Sequence, residues 1–171
     1  MSKRPLHEDY PEHFHTYVKL VPDGAINDIL VEQQKITEEL INTITDTQAN
    51  SRYAPGKWSL KEVFGHIIDT ERIMSYRLLR IARGDQTPLA GFEENSYVNH
   101  AHYDKRSMSD LLEEYKSVRH ATITLVNGLA EEAWDRRGIV NENPMTACAL
   151  AYVLAGHELH HLNIMKERYL A

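Results

Sequence analysis

Near the end of this 171-residue chain the run LAYVLAGHELHHLNIM carries His157, His160 and His161, three of ten histidines in the whole sequence. Seven residues along a helix return to nearly the same face, about 20° short of two full turns. Leu150 is therefore in phase with His157, Leu154 with His161, and His157 with Ile164. Two imidazoles one turn apart thus interrupt an apolar stripe, where an unpartnered polar group costs about 1–3 kcal/mol. Something inside the fold must satisfy them.

A third imidazole is offered by His66 in FGHIIDTE, about 60° around its own helix from Val63. It lies about 12 Å beyond the helix start at Trp58, while His161 and His157 lie about 10 and 16 Å before Arg168. If the two helices are antiparallel neighbours, all three imidazoles meet at one level. Three neutral imidazoles without a thiolate suit zinc or nickel and leave coordination positions for water or substrate. Gly65 and Gly156 each precede one of these histidines inside a helix, which points to a close approach of chains or to space beside a metal.

The same residues have other readings. His157, Glu158 and His161 spell H-E-x-x-H, the helix signature of zinc peptidases in which the glutamate is general base, but only Glu167 follows as a further ligand. A di-iron bundle needs paired E-x-x-H motifs, and only Glu158 with His161 fits. Asp69 and Glu158 are the candidate catalytic carboxylates, able to orient an imidazole or take a proton, or else ordinary exposed helix residues. His13 with His15, and His100 with His102, read as solvated or substrate-contacting loop pairs. Arg72, Arg77, Arg80 and Arg83 read as a solvated face, pairing with Asp69 and Glu71.

Four helices position these groups. Ile26, Ile29, Leu30, Ile36, Leu40, Ile41 and Ile44 give the first, Asp23 to about Asp46. Ser59 and Glu62 form a capping box, with Trp58 and Val63 at staple positions, opening a second that ends at Arg83 before Gly84. The third runs from Ser107 to Asn127, and Asn143 with Pro144 reads as cap and first residue of a fourth reaching about Arg168. No period-two strand or hairpin turn is evident. The expectation is an all-α four-helix bundle. Up-down-up-down order would put His66 at the wrong level, so the order is up-down-down-up, with residues 84–106 as the crossover. Residues 1–22 read as an arm broken by Pro5, Pro11 and Pro22, and residues 129–142 as holding one extra turn around Trp134.

Length fits a single domain over residues 1–171. With 42% hydrophobic and 26% charged residues the composition is that of an ordinary globular domain, with no apolar run long enough to span a membrane. The single cysteine, Cys148, and the absence of an apolar leader indicate a reducing cytoplasm. A net charge of −6 without a basic run argues against nucleic acid as partner.

The segments RYAPGKWSLKEVFGHIIDTE, TPLAGFEENSYV and NPMTACALAYVLAGHELHHLNIMKERYL resemble the DinB-like superfamily, especially its YfiT-like branch, over about residues 25 to 170. The resemblance implies an up-down-down-up bundle, nickel or zinc held by residues matching His66, His157 and His161, and a homodimer. Characterised members of that family include bacillithiol and mycothiol S-transferases and a mycothiol-dependent isomerase, and many others carry provisional names as metal-dependent hydrolases. The expected activity is therefore metal-assisted activation of a low-molecular-weight thiol or of water toward a small-molecule substrate. The alternative is a metal-binding or dimerising scaffold without turnover.

Overall fold

The computed structural model describes residues 4–171. Its helices are α1 (His15–Val18), α2 (Ile26–Asn42), α3 (Asp46–Asn50), α4 (Leu60–Ala82), α5 (Glu94–Ala101), α6 (Met108–Asn127) and α7 (Ala147–Ile164). A two-stranded hairpin, β1 (Arg137–Val140) and β2 (Asn143–Thr146), leads into α7. The long helices α2, α4, α6 and α7 form the bundle.

Helix α4 starts where its side chains satisfy its orphan amides. The Ser59 hydroxyl accepts from the Glu62 amide and the Glu62 carboxylate accepts from the Ser59 amide. Ser107 caps α6 in the same manner, accepting from the Asp110 amide.

Cross-helix contacts fix the directions. The start of α4 meets the end of α7, where Tyr169 donates to the Trp58 carbonyl, and the end of α4 meets the chain just before α7, where Arg136 donates to the Ala82 carbonyl. These two helices are antiparallel. Phe64 packs on Tyr115 and Glu71 pairs with Arg119, so α4 and α6 run parallel. Gln33 reaches the Ala155 carbonyl and Thr37 reaches Glu158, so α2 and α7 also run parallel. The order is up-down-down-up, as the level of the three histidines requires.

Several expectations are corrected. Helix four does not begin at Asn143 and Pro144; those residues belong to β2, and Thr146 caps α7 by accepting from the Ala149 amide. The hairpin turns through Asn141 and Glu142, both left-handed with φ of 46° and 65°. Asparagine at such a turn is a readable signal, but the strands are four residues long and Pro144 sits in one of them, which hid the pattern. Helix one ends at Asn42, and the short α3, capped by Thr45, follows it. The crossover is structured. Leu89 hydrogen-bonds to the backbone of Ile139 and Asn141, α5 lies against α4, and Val98 is buried.

Helix α7 carries more than an apolar stripe. Every residue from Ala147 to Glu158 is buried, because the N-terminal arm covers the side that the bundle leaves open. The glycines that precede His66 and His157 explain how. A Cβ on Gly156 would lie 2.2 Å from the Tyr17 carbonyl oxygen, and one on Gly65 would lie 2.4 Å from the Tyr103 ring. Both serve close chain approach, and neither leaves space beside an ion.

Gly156→Ala must push backbone aside, so it should lower stability by about 1–3 kcal/mol in denaturant titrations. It should also expose α1 to limited proteolysis. Gly65→Ala meets the buried Tyr103 ring and should loosen the crossover instead.

Candidate metal centre

His66 sits on the second turn of α4, and His157 and His161 lie one turn apart on α7. The antiparallel contact brings them together: His66 Nε2 lies 3.0 Å from His157 Nε2, and one ligand atom from each of the three histidines falls within 4.8 Å of the others. A separation beyond about 6 Å would have excluded a shared ion, since Zn–N bonds are about 2.1 Å. Among the described residues this is the one group of three or more potential ligands.

Burial decides the protonation of these rings. It pushes His66 down to about 4 and His161 to about 3, and His157, further opposed by His161, His66 and His160, well below the ordinary histidine value. All three are neutral imidazoles at pH 7, the form that binds metal. Two neutral Nε2 atoms 3.0 Å apart either share one proton or point lone pairs at a common cation. His161 Nδ1 is buried without a hydrogen-bond partner, an orphan that a bound ion or water would satisfy. The donor set and its spacing fit a divalent ion.

Rings around the triad hold it in place. Trp58 packs on His66 with centroids 4.9 Å apart, and Tyr17 from the arm presents an edge to His157 at 5.5 Å. Thr70, one turn on from His66, places its hydroxyl 3.5 Å from Nδ1.

The two carboxylates singled out from the sequence are engaged elsewhere. Glu158 points away from the imidazoles into a network in which Thr37 and Tyr115 donate to one oxygen and Arg119 to the other. Arg119 also forks onto Glu71, and the three charged side chains are 3% exposed or less. Asp69 accepts from Tyr103, whose hydroxyl is also bonded to the Gly65 carbonyl. Neither carboxylate has a hydrogen bond to a ligand imidazole. His15 meets Tyr10 and His100 meets the Ser96 carbonyl, so neither H-x-H pair gathers into a cluster.

Two clefts reach the centre. One of about 360 Å³ has His157 in its wall, between the arm, the crossover and the hairpin turn, with Arg77, Phe92 and Glu94 also lining it. The other, about 250 Å³, exposes His161 between Trp58, Lys57 and Asn95. Of the ring-bearing side chains on the crossover, Phe92 lines the first cleft, Tyr97 and His100 line a separate surface hollow, and Tyr103 is buried under α4. Sequence reasoning missed Tyr17, Arg77 and Glu94 as cleft residues. It placed Arg77 on a solvated face, whereas the side chain is 4% exposed beneath the crossover. Arg72 pairs with Glu114 and Glu71 with Arg119, instead of with one another.

The profile of the DinB superfamily matches residues 29–165. This chain belongs to the DinB superfamily. A relative from Oceanobacillus iheyensis, provisionally named a metal-dependent hydrolase, is 23% identical over 130 residues, 75% of this chain and 74% of that protein. The structure of YfiT from Bacillus subtilis, described in similarly provisional terms and as having an unusual four-helix bundle topology, aligns with a TM-score of 0.72 at 15% identity. The alignment covers 97% of this chain and 91% of YfiT. A mycothiol-dependent maleylpyruvate isomerase aligns over 88% of this chain and 59% of its own, with a TM-score of 0.61 and 12% identity. At these identities the structural likeness establishes the DinB bundle, and the chemistry must be argued from the site.

Acidification supplies a direct check on the buried rings. The unfolded chain takes up protons near pH 6.5 while His66 and His161 stay neutral to about 4 and 3. Stability of the metal-free protein is therefore present above pH 6.5 and lost as pH falls, by about 1.4 kcal/mol per pH unit for each ring. Denaturant midpoints between pH 6.5 and 4 should show this slope, and His66→Phe should reduce it. For the Arg119 network, Arg119→Met strands two buried carboxylates and should cost about 3–5 kcal/mol in the same titrations at pH 7.

Proposed function

We propose that this DinB protein is an enzyme that uses a divalent ion, nickel or zinc, held by His66, His157 and His161, to activate a small nucleophile. The observation that carries the reading is the meeting of three neutral imidazoles at one level, two buried and His161 half-buried, with clefts leading to them. A purely structural ion is enclosed by four protein ligands, whereas this centre offers three and is reached by solvent. That accessibility favours turnover over a scaffold role.

When bound, the ion supplies a positive charge that lowers the pKa of a thiol or water placed beside it. Because the three ligands are uncharged, none of that charge is neutralised by the protein's own donors. The chain's residues do the rest. Tyr17, Trp58 and Thr70 fix the ring orientations, and the apolar packing around α7 keeps the imidazoles unprotonated. Glu94, raised above the ordinary carboxyl value by burial and by Glu93, is a carboxylate of the His157-side cleft able to take a proton from an incoming nucleophile. Glu158 holds α2, α6 and α7 together and so positions His157 through the backbone they share.

Thiol transfer is the reading that the two clefts favour. A thiol has an ordinary pKa near 8.5 and water one near 15.7, so a modest electrostatic shift is enough to make thiolate. Transfer also needs room for a thiol carrier and an acceptor, and two separate clefts are lined by histidines of the centre. The mycothiol dependence of one structural relative is in keeping with this, and the provisional names of the others keep hydrolysis as the second reading.

The chain should bind one transition metal ion, measured on protein purified without chelator. His66→Ala and His157→Ala should each abolish stoichiometric occupancy, and retention of metal by both would refute the centre. With metal bound, consumption of monochlorobimane should exceed the uncatalysed rate only when a low-molecular-weight thiol is present. Ester or amide hydrolysis without thiol, lost in His161→Ala, would instead establish the hydrolase.

A further inference from the structure

Arg77 lines the larger cleft, as does His157, and its place there is unusual. The side chain is 4% exposed, yet among the described residues no carboxylate lies within ion-pair distance of it. One terminal nitrogen donates to the Ala90 carbonyl at 2.6 Å and the other faces the Met74 sulfur at 3.6 Å. The guanidinium also stands over the Phe92 ring at 5.7 Å. A guanidinium has five N–H donors, so one carbonyl and a weak sulfur acceptor leave much of its capacity unused.

Burying a cation without a counter-charge is costly, and folded proteins rarely do it. Desolvation accordingly lowers the Arg77 pKa, in contrast to Arg119, which two glutamates hold well above its ordinary value. The second fixed charge on the cleft wall, Glu94, is not paired with Arg77, and His13 and His157 are the remaining titratable groups there. The cleft thus offers one unneutralised guanidinium beside the metal centre, in a volume of about 360 Å³ suited to a small molecule.

We propose that Arg77 binds a carboxylate group of the substrate in this cleft, so that the enzyme acts on small molecules carrying a carboxylate. The proposal rests on the cleft being the substrate site of the metal enzyme described above. A carboxylate suits the site better than a phosphate, because one guanidinium can balance a single negative charge and the Glu94 carboxylate on the same wall opposes a second. The planar fork of arginine matches a carboxylate with two parallel N–H donors, while the Ala90 contact and Phe92 hold the fork in orientation. The substrate's reacting group would then lie toward His157.

The test titrates acetate, propionate and benzoate, each against its own carboxamide, into the protein at pH 7 by calorimetry. Both metal-loaded and chelator-treated protein are used, so that direct ligation of the acid by the ion is separated from binding at Arg77. At least one acid should bind the chelator-treated protein at least tenfold more tightly than its amide. Arg77→Gln should weaken that acid by about ten- to hundredfold and leave metal content unchanged. Arg77→Lys should fall between the two, because it keeps the charge and loses the fork. Equal binding of acids and amides, or acid affinity unaltered in both variants, overturns the proposal. If Arg77→Gln does not fold, the lysine variant and the acid-against-amide comparison on unaltered protein decide. Failure of the metal reading shows separately, as absence of bound metal, and does not change what these titrations measure.

Discussion

The structure depends on one constraint: three imidazoles must stay uncharged in a protein interior, and they must do so at the same height on two different helices. Only an antiparallel contact between α4 and α7 puts His66 level with His157 and His161. That contact dictates the rest of the topology. With α4 and α7 antiparallel and adjacent, α6 must run parallel to α4, and a parallel pair cannot be joined by a short turn. The crossover of residues 84–106 follows from the position of the histidines.

The same interior holds a second set of polar groups with a different solution. Arg119 stands between Glu71 and Glu158, with Tyr115 and Thr37 completing the hydrogen bonds. This network ties α2, α4, α6 and α7 to one another at the level just beyond the histidines. Such a cluster contributes little net stability over an apolar core, but its directional bonds admit only one relative rotation of the helices. The imidazoles need that rotation to converge, so the charged network and the histidine cluster are mechanically coupled even though no hydrogen bond joins them.

The bundle, its order and the convergence of His66, His157 and His161 were legible in the sequence, because helical phase and rise are fixed by backbone geometry. The capping box at Ser59 and Glu62 was legible for the same reason. What was hidden depends on partners distant in the chain. Glu158 sits in an H-E-x-x-H spelling that reads as catalytic, yet it turns toward Arg119, which no local pattern announces. Arg77 belongs to a run of arginines spaced like a solvated face, and only the crossover folding over it makes it buried. The hairpin escaped notice because Pro144 and four-residue strands imitate the start of a helix. Gly65 and Gly156 were recognised as anomalies, but the groups that require them, Tyr103 and Tyr17, lie on segments whose paths periodicity does not reveal.

The walls of the larger cleft come largely from chain outside the four long helices: the arm with Tyr17, the crossover with Phe92 and Glu94, and the hairpin turn at Asn141. The histidines, by contrast, come from α4 and α7 alone. The protein is therefore divided into a frame that carries the histidines and a casing that shapes the space beside them. Changes in the casing alter what fits beside the centre without disturbing the helical phase that builds it, and changes in the frame abolish the centre whatever the casing selects. A scaffold partitioned in this way can change the space beside the histidines through its connections while keeping their convergence.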